Sequence, residues 1–226
     1  MRRVFAMRLT VWALALVVVF GISVNESLGS AASRWCNAER KPSTMGKSYH
    51  LLTPELRSWL ERQKIFFVAS APLDREGHVN CSPKGGDTFR ILSEREVAYL
   101  DLTGSGIETV AHLQENGRIV IMFCAFEGPP KIVRLHGIGE VIYPHHESYA
   151  ALRAQFGPHE GARAIVRVTL NRISDSCGYA VPLFNYSAPR DVLDRWTESK
   201  GAEGLVAYRA QKNRESIDGL PGYTGR

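Results

Sequence analysis

IVIMFCAF at residues 119–126, EGPP at 127–130 and KIVRLHGIGEVIY at 131–143 read as two long apolar strands around a turn. Val, Ile and Phe favour a pleated, half-buried surface. Gly128, Pro129 and Pro130 cannot extend either ladder, so the chain reverses there as a hairpin. Immediately upstream, VAYLDL at 97–102 is a further strand that TGSG at 103–106 closes. Ile107, Val110, Ala111 and Leu113 then fall on one face of a helix through Asn116, which Gly117 can end.

Working outward, Thr53 can cap a helix with Pro54 in its first turn and Leu56, Trp59 and Leu60 on one stripe. IFFVASA at 65–71 is a short β-type run. The turn Asp74–Gly77 returns it into a strand over His78–Ser82. Downstream, a short helix is expected over 147–156 and a strand over 164–173. An amphipathic helix follows over 189–200, continuing helically over 205–213, before a Gly/Pro-rich tail at 216–225. Six strands joined largely by tight turns, with helices between and after them, predict a mainly β chain. The expected architecture is an antiparallel sheet closing as a barrel with flanking helices. The chain then divides into a leader (1–44), a body (45–175) and a C-terminal extension (176–226).

Bulk properties narrow the class. The 226 residues are 44% hydrophobic and 23% charged, an ordinary globular composition, yet the formal charge is +5. The first 44 residues hold six basic and two acidic side chains, and the remainder holds 22 and 21. The folding body is therefore close to neutral, without the clustered basic surplus that nucleic-acid binding by charge requires. Cys36, Cys81, Cys124 and Cys177 are widely spaced and form no metal or redox motif, so isolated thiols are expected. MRRVFAMR, the uncharged apolar run at 9–24 and the small residues at 29–33 follow the order of a secretory signal. The apolar run is shorter than the roughly 20 residues of a spanning helix. A short uncleaved anchor, and translation starting at Met45 with a cytoplasmic product, stay open as alternatives.

Two segments could carry chemistry. Thr103-Gly104-Ser105-Gly106 places small and hydroxyl residues between a strand and a helix N-terminus, where free N–H groups suit a phosphate. It is neither a Walker loop nor a dinucleotide fingerprint, since Thr109 stands where the third glycine would be. Ser82-Pro83-Lys84-Gly85 places a cation and pliable backbone at a strand end. His145, His146 and His159 have no third ligand at metal spacing and read as loop residues.

The order of these blocks is informative. FFVASAPLDREGHVNCSPKGGDTFRIL, VAYLDLTGSGIETVAHLQENGRIVIMF and KIVRLHGIGEVI together resemble the pyridoxamine 5′-phosphate oxidase-like, FMN-binding split-barrel family. SCGYAVPLF (176–184) and KNRESIDGLPG (212–222) are similar to one uncharacterised subgroup of it. The resemblance implies a six-stranded antiparallel split barrel, a homodimer with FMN between subunits, and oxidoreductase chemistry on a small molecule. It implies flavin contacts at Ser82, Lys84 and Gly85, at Asp101, Thr103, Gly104 and Ser105, and at Arg134 on the later strand. It assigns no catalytic side chain. NCSPKGG stands where authentic pyridoxamine-phosphate oxidases carry an Arg-rich strand, and SIDGLPGYTGR lacks their Arg/His pair for substrate phosphate. The resemblance therefore carries flavin binding further than it carries that substrate. A non-catalytic flavin- or haem-binding module and a deazaflavin-dependent reductase stay open beside the FMN oxidoreductase. A membrane partner is expected only if the apolar leader is retained.

Overall fold

The computed structural model describes residues 46–225; the leader lies outside them. Eight strands and four helices run in the order β1 (Ser48–Tyr49), α1 (Pro54–Glu61), β2 (Ile65–Ser70), β3 (Asn80–Gly85), β4 (Phe89–Ile91), β5 (Glu96–Leu102), α2 (Glu108–Asn116), β6 (Arg118–Cys124), β7 (Ile132–Ile142), α3 (Tyr149–Arg153), β8 (Ala162–Ser176) and α4 (Val192–Lys212). All pair antiparallel in one sheet ordered β3-β2-β6-β7-β8-β5-β4, with β1 on β8.

The hairpin at 119–143 is the spine of this sheet. Met122 pairs with Arg134 and Ile121 with Leu135. Alternation then turns Ile121, Phe123, Val133 and Leu135 inward, all essentially without solvent contact. Inside the curl, the rings of Phe66, Phe89, Tyr99 and Phe123 meet with centroids 5.0–5.9 Å apart. Leu56 and Leu60 of α1 close one end of this core. Each such fully buried side chain contributes about 1.5–3 kcal/mol of transfer free energy. Thr53 Oγ1 accepts from Leu56 N–H at 3.3 Å and so starts α1 in register with the core. β5 is buried on both faces because α3 and the residues after it lay Leu152 and Phe156 over Ala98, Leu100 and Ile165.

The six strands expected from the sequence are all present, and two short ones join them. β1 and β4 span two and three residues, too few for a period to register. β3 begins at Asn80, two residues later than expected, and runs through Gly85, so Ser-Pro-Lys-Gly is strand and not turn. Pro83 is tolerated there because β3 pairs only with β2, as a sheet edge. The hydrogen-bonded path ends at β3 and β4, so the barrel stays open between them. The two C-terminal helical stretches form one element, α4, with a non-helical Gly201 (φ 60°) where they meet. Among the described residues no helix is long and apolar enough to cross a membrane. Cys81, Cys124 and Cys177 are free thiols, and no cluster of metal-ligating side chains occurs among the described residues.

Candidate functional site

A cleft of about 1500 Å³ lies where the barrel is open. Ligand sites for one small molecule occupy roughly 300–1,000 Å³, so this one is spacious. Trp59 of α1 and Arg62 just after it, with Lys64 and the β2 residues Ile65 and Phe67, form one wall. The end of β3 (Pro83–Gly85), Gly86, Leu100, Leu102, Thr103 and Gly104 supply another. The β6–β7 turn and residues 184–194 complete it. The two last segments hold each other: Phe126 and Phe184 stack at 5.3 Å, and Phe126 C=O accepts from Phe184 N–H at 2.9 Å. Five cations line the cleft (Arg62, Lys64, Lys84, Lys131, Arg190) against two carboxylates, Glu127 and Asp194. Lys131 lies over the Trp59 ring at 5.3 Å and Lys64 over Tyr186 at 5.7 Å. The neutral body thus carries a local cationic, aromatic surface.

Beneath the cleft is a buried polar network. Asp101 is 1% exposed, and its carboxylate accepts from Arg163 Nε at 2.7 Å and Lys84 Nζ at 3.4 Å. Burial alone would raise the Asp101 pKa, but the Arg163 and Lys84 charges overcome it and hold the carboxyl below its ordinary value. Arg163 also donates to Asn213 Oδ1 at 2.8 Å and to Gly106 C=O at 2.9 Å. Asn213 Nδ2 donates to Gly104 C=O at 2.9 Å. Thr103 Oγ1 donates to Gly161 C=O at 2.7 Å and accepts from Arg209 Nε at 2.9 Å.

This network orients the loop after β5. Its carbonyls are drawn inward by Arg163 and Asn213, while the N–H groups of Gly104, Ser105 and Gly106 reach no acceptor among the described residues. A Cβ built on Gly104 would meet nothing within 4 Å, so that stretch of loop borders open space. α2 starts without a side-chain cap, and Glu108 folds back over Gly106, 2.5 Å from where a Cβ there would sit. The part of the loop facing the cleft is accordingly Thr103 and Gly104.

Of the residues singled out in the sequence, Lys84, Gly85, Thr103 and Gly104 meet in the cleft although they come from two separate segments. Asp101 lies under it with both oxygens engaged. Ser105 is exposed beside the cleft but does not line it. Ser82 donates to Asn80 Oδ1 at 3.1 Å, and Arg134 donates to Ser176 Oγ at 2.9 Å; both stand outside it. Arg163, Arg209, Asn213 and His159 were not anticipated. Arg163 is one of two cations in the apolar strand ARAIVRV, and nothing in the local pattern tells it from Arg167, which pairs with Glu140.

The model of the family described as pyridoxamine 5′-phosphate oxidase matches residues 52–177. A pyridoxamine 5′-phosphate oxidase family protein of Aspergillus flavus, ustO, is 40% identical over 191 residues, covering 77% of this chain and 76% of that protein. The chain belongs to the pyridoxamine 5′-phosphate oxidase family. The matched segment contains every strand from β2 to β8, whereas α4, which orients the Thr103–Gly106 loop, lies beyond it. Among solved structures, HupZ of Group A Streptococcus is 22% identical, covering 54% of this chain and 90% of that chain (TM-score 0.41). The FAD binding protein from Mycobacterium smegmatis is 18% identical, covering 56% of this chain and 96% of that one (TM-score 0.39). Similarity at this level carries no argument about chemistry.

Proposed function

We propose that the chain binds FMN in the cleft and acts as a flavin-dependent oxidoreductase on a small molecule. The observation that carries this reading is the cleft itself. A near-neutral body gathers five cations and aromatic walls around a glycine-bearing loop in which the N–H groups of Gly104, Ser105 and Gly106 have no acceptor among the described residues. A phosphate monoester suits the loop, Lys84 and open Gly104, and a planar ring suits Trp59, Phe126, Phe184 and Tyr186. Family membership supports a flavin ligand.

The chain's own residues then have defined tasks. The Lys84 side chain is one quarter exposed, and its ammonium keeps donors for a ligand while touching Asp101. Asp101, Arg163 and Asn213 hold the loop in place, so that binding does not require it to be ordered afresh. Phe184 and Tyr186 offer aromatic faces to the ring side. Flavin, when bound, would supply hydride or electron transfer.

We also propose that two copies associate, because a spacious cleft open along one side leaves a ring incompletely covered by one subunit. Half-exposed Phe67, Val120 and Met122 on the outer sheet face support such a contact. Titration of purified protein with FMN and with riboflavin tests the ligand, and anaerobic addition of NAD(P)H tests the activity. The expected results are tighter binding of FMN and bleaching of bound flavin. Binding of neither flavin contradicts the proposal.

A further inference from the structure

We infer that His159, backed by Asp194, is a charged contact for the phosphate of the cleft's ligand, taking a phosphate monoester dianion in the imidazolium form. The inference rests on the phosphate-binding reading of the cleft and adds a residue to it. His159 lines the cleft with its side chain 17% exposed. Its Nδ1 is buried without a hydrogen-bond partner among the described residues, and Asp194 Oδ1 stands 3.7 Å away. That distance is too long for a hydrogen bond but short enough for an ion pair with a protonated ring.

The backbone ties the segment that carries His159 to the loop after β5. His159 C=O accepts from Ala162 N–H at 3.2 Å, and Arg153 Nη1 ties the preceding turn through Gly157 C=O at 2.9 Å. Two residues later, Gly161 C=O accepts both the N–H and the hydroxyl of Thr103, each at 2.7 Å. Gly161 must be glycine for this, since a Cβ there would meet Thr197 Cγ2 at 2.6 Å. On the other side is Asp87, just after Gly85-Gly86. Its carboxyl is lowered chiefly by its hydrogen bond to Arg90, with a smaller contribution from His159. The charged groups around the imidazole are thus Asp194 of α4, Asp87 with Arg90, Arg153 of α3, and Glu160 next in the chain.

Histidine in general is the side chain whose charge changes across ordinary pH, so it adds a contact of a different kind from the lysine and arginine of the cleft. Imidazolium and phosphate dianion attract, so binding favours the proton on the ring, and loss of that proton weakens binding. Riboflavin has the same ring without the phosphate and isolates the effect.

The test is the dissociation constant of FMN and of riboflavin between pH 6 and pH 8.5 for wild type, His159→Gln and Asp194→Asn. In wild type, FMN affinity is expected to fall about tenfold across the range, the factor for one unit of coupling, while riboflavin stays within about twofold. His159→Gln should flatten the FMN profile at an unchanged melting temperature. Asp194→Asn should move the fall to lower pH. FMN binding that exceeds riboflavin binding but keeps the wild-type profile in His159→Gln overturns the inference and leaves the cleft reading intact. Equal binding of the two flavins at every pH overturns both.

Discussion

Arg163→Met tests the idea that the site loop is held from below. The substitution keeps most of the side-chain volume and removes the guanidinium from Asp101, Asn213 and Gly106. Asp101 and Arg163 side chains are 2% and 5% exposed, so solvent cannot take over. Removing one partner of a buried ion pair costs about 3–5 kcal/mol, because the other charge is left without its partner. Lys84 Nζ stays 3.4 Å from Asp101 and offsets part of that cost. The expected loss is therefore at the lower end, about 3 kcal/mol. For a domain of this size, that lowers the melting temperature by about 6–12 °C. Asp101→Asn should cost a similar amount by isolating the guanidinium. The double variant should lose less than the two singles together, by about 1–2 kcal/mol, since neither charge is then stranded. Urea and thermal unfolding of the four proteins supply the cycle. A single variant within about 1 kcal/mol of wild type, or strict additivity, would refute the reasoning.

Acid should destabilise the fold in two stages. Burial lowers the His112 pKa, so its contribution is complete above the ordinary histidine range and is lost as pH falls through it; Asp101, also lowered, loses its contribution only below the ordinary carboxylate value. Urea midpoints at pH 7, 5.5 and 3.5 read this, with His112→Gln expected to shrink the first drop. In the cleft, Lys84→Met should weaken FMN binding by about 1–3 kcal/mol. Ser105→Ala should leave it within about twofold, because Ser105 does not line the cleft; fluorescence titration separates the two. Mass in solution should be that of two chains, and a flavin-loaded monomer would contradict the proposed association.

The sequence carried the barrel because its strands announce themselves. β6 and β7 are long, apolar and separated by Gly-Pro-Pro, and the helix between β5 and β6 ends at Gly117, whose φ of 71° suits glycine. β4 stayed hidden because three residues of mixed polarity have no period, and its strand character comes from pairing Phe89 with Tyr99. The site was legible in halves. Lys84-Gly85 reads as a strand end and Thr103-Gly104 as a strand-to-helix connector, and their meeting in one cleft is a property of the tertiary fold. What supports them was not legible at all. Arg163 finds Asp101 across 62 residues and Asn213 finds Gly104 across 109, separations at which no local pattern specifies a partner. His159 looked like a loop histidine until Gly161 was seen to bond Thr103.

A crystal structure of the chain grown with FMN tests the central claim most directly. The account predicts the phosphate against the N–H of Gly104, within hydrogen-bond reach of Lys84 Nζ, and the ring toward Trp59 and Phe184. A flavin held elsewhere, or a phosphate turned away from the Thr103–Gly104 loop, would contradict it.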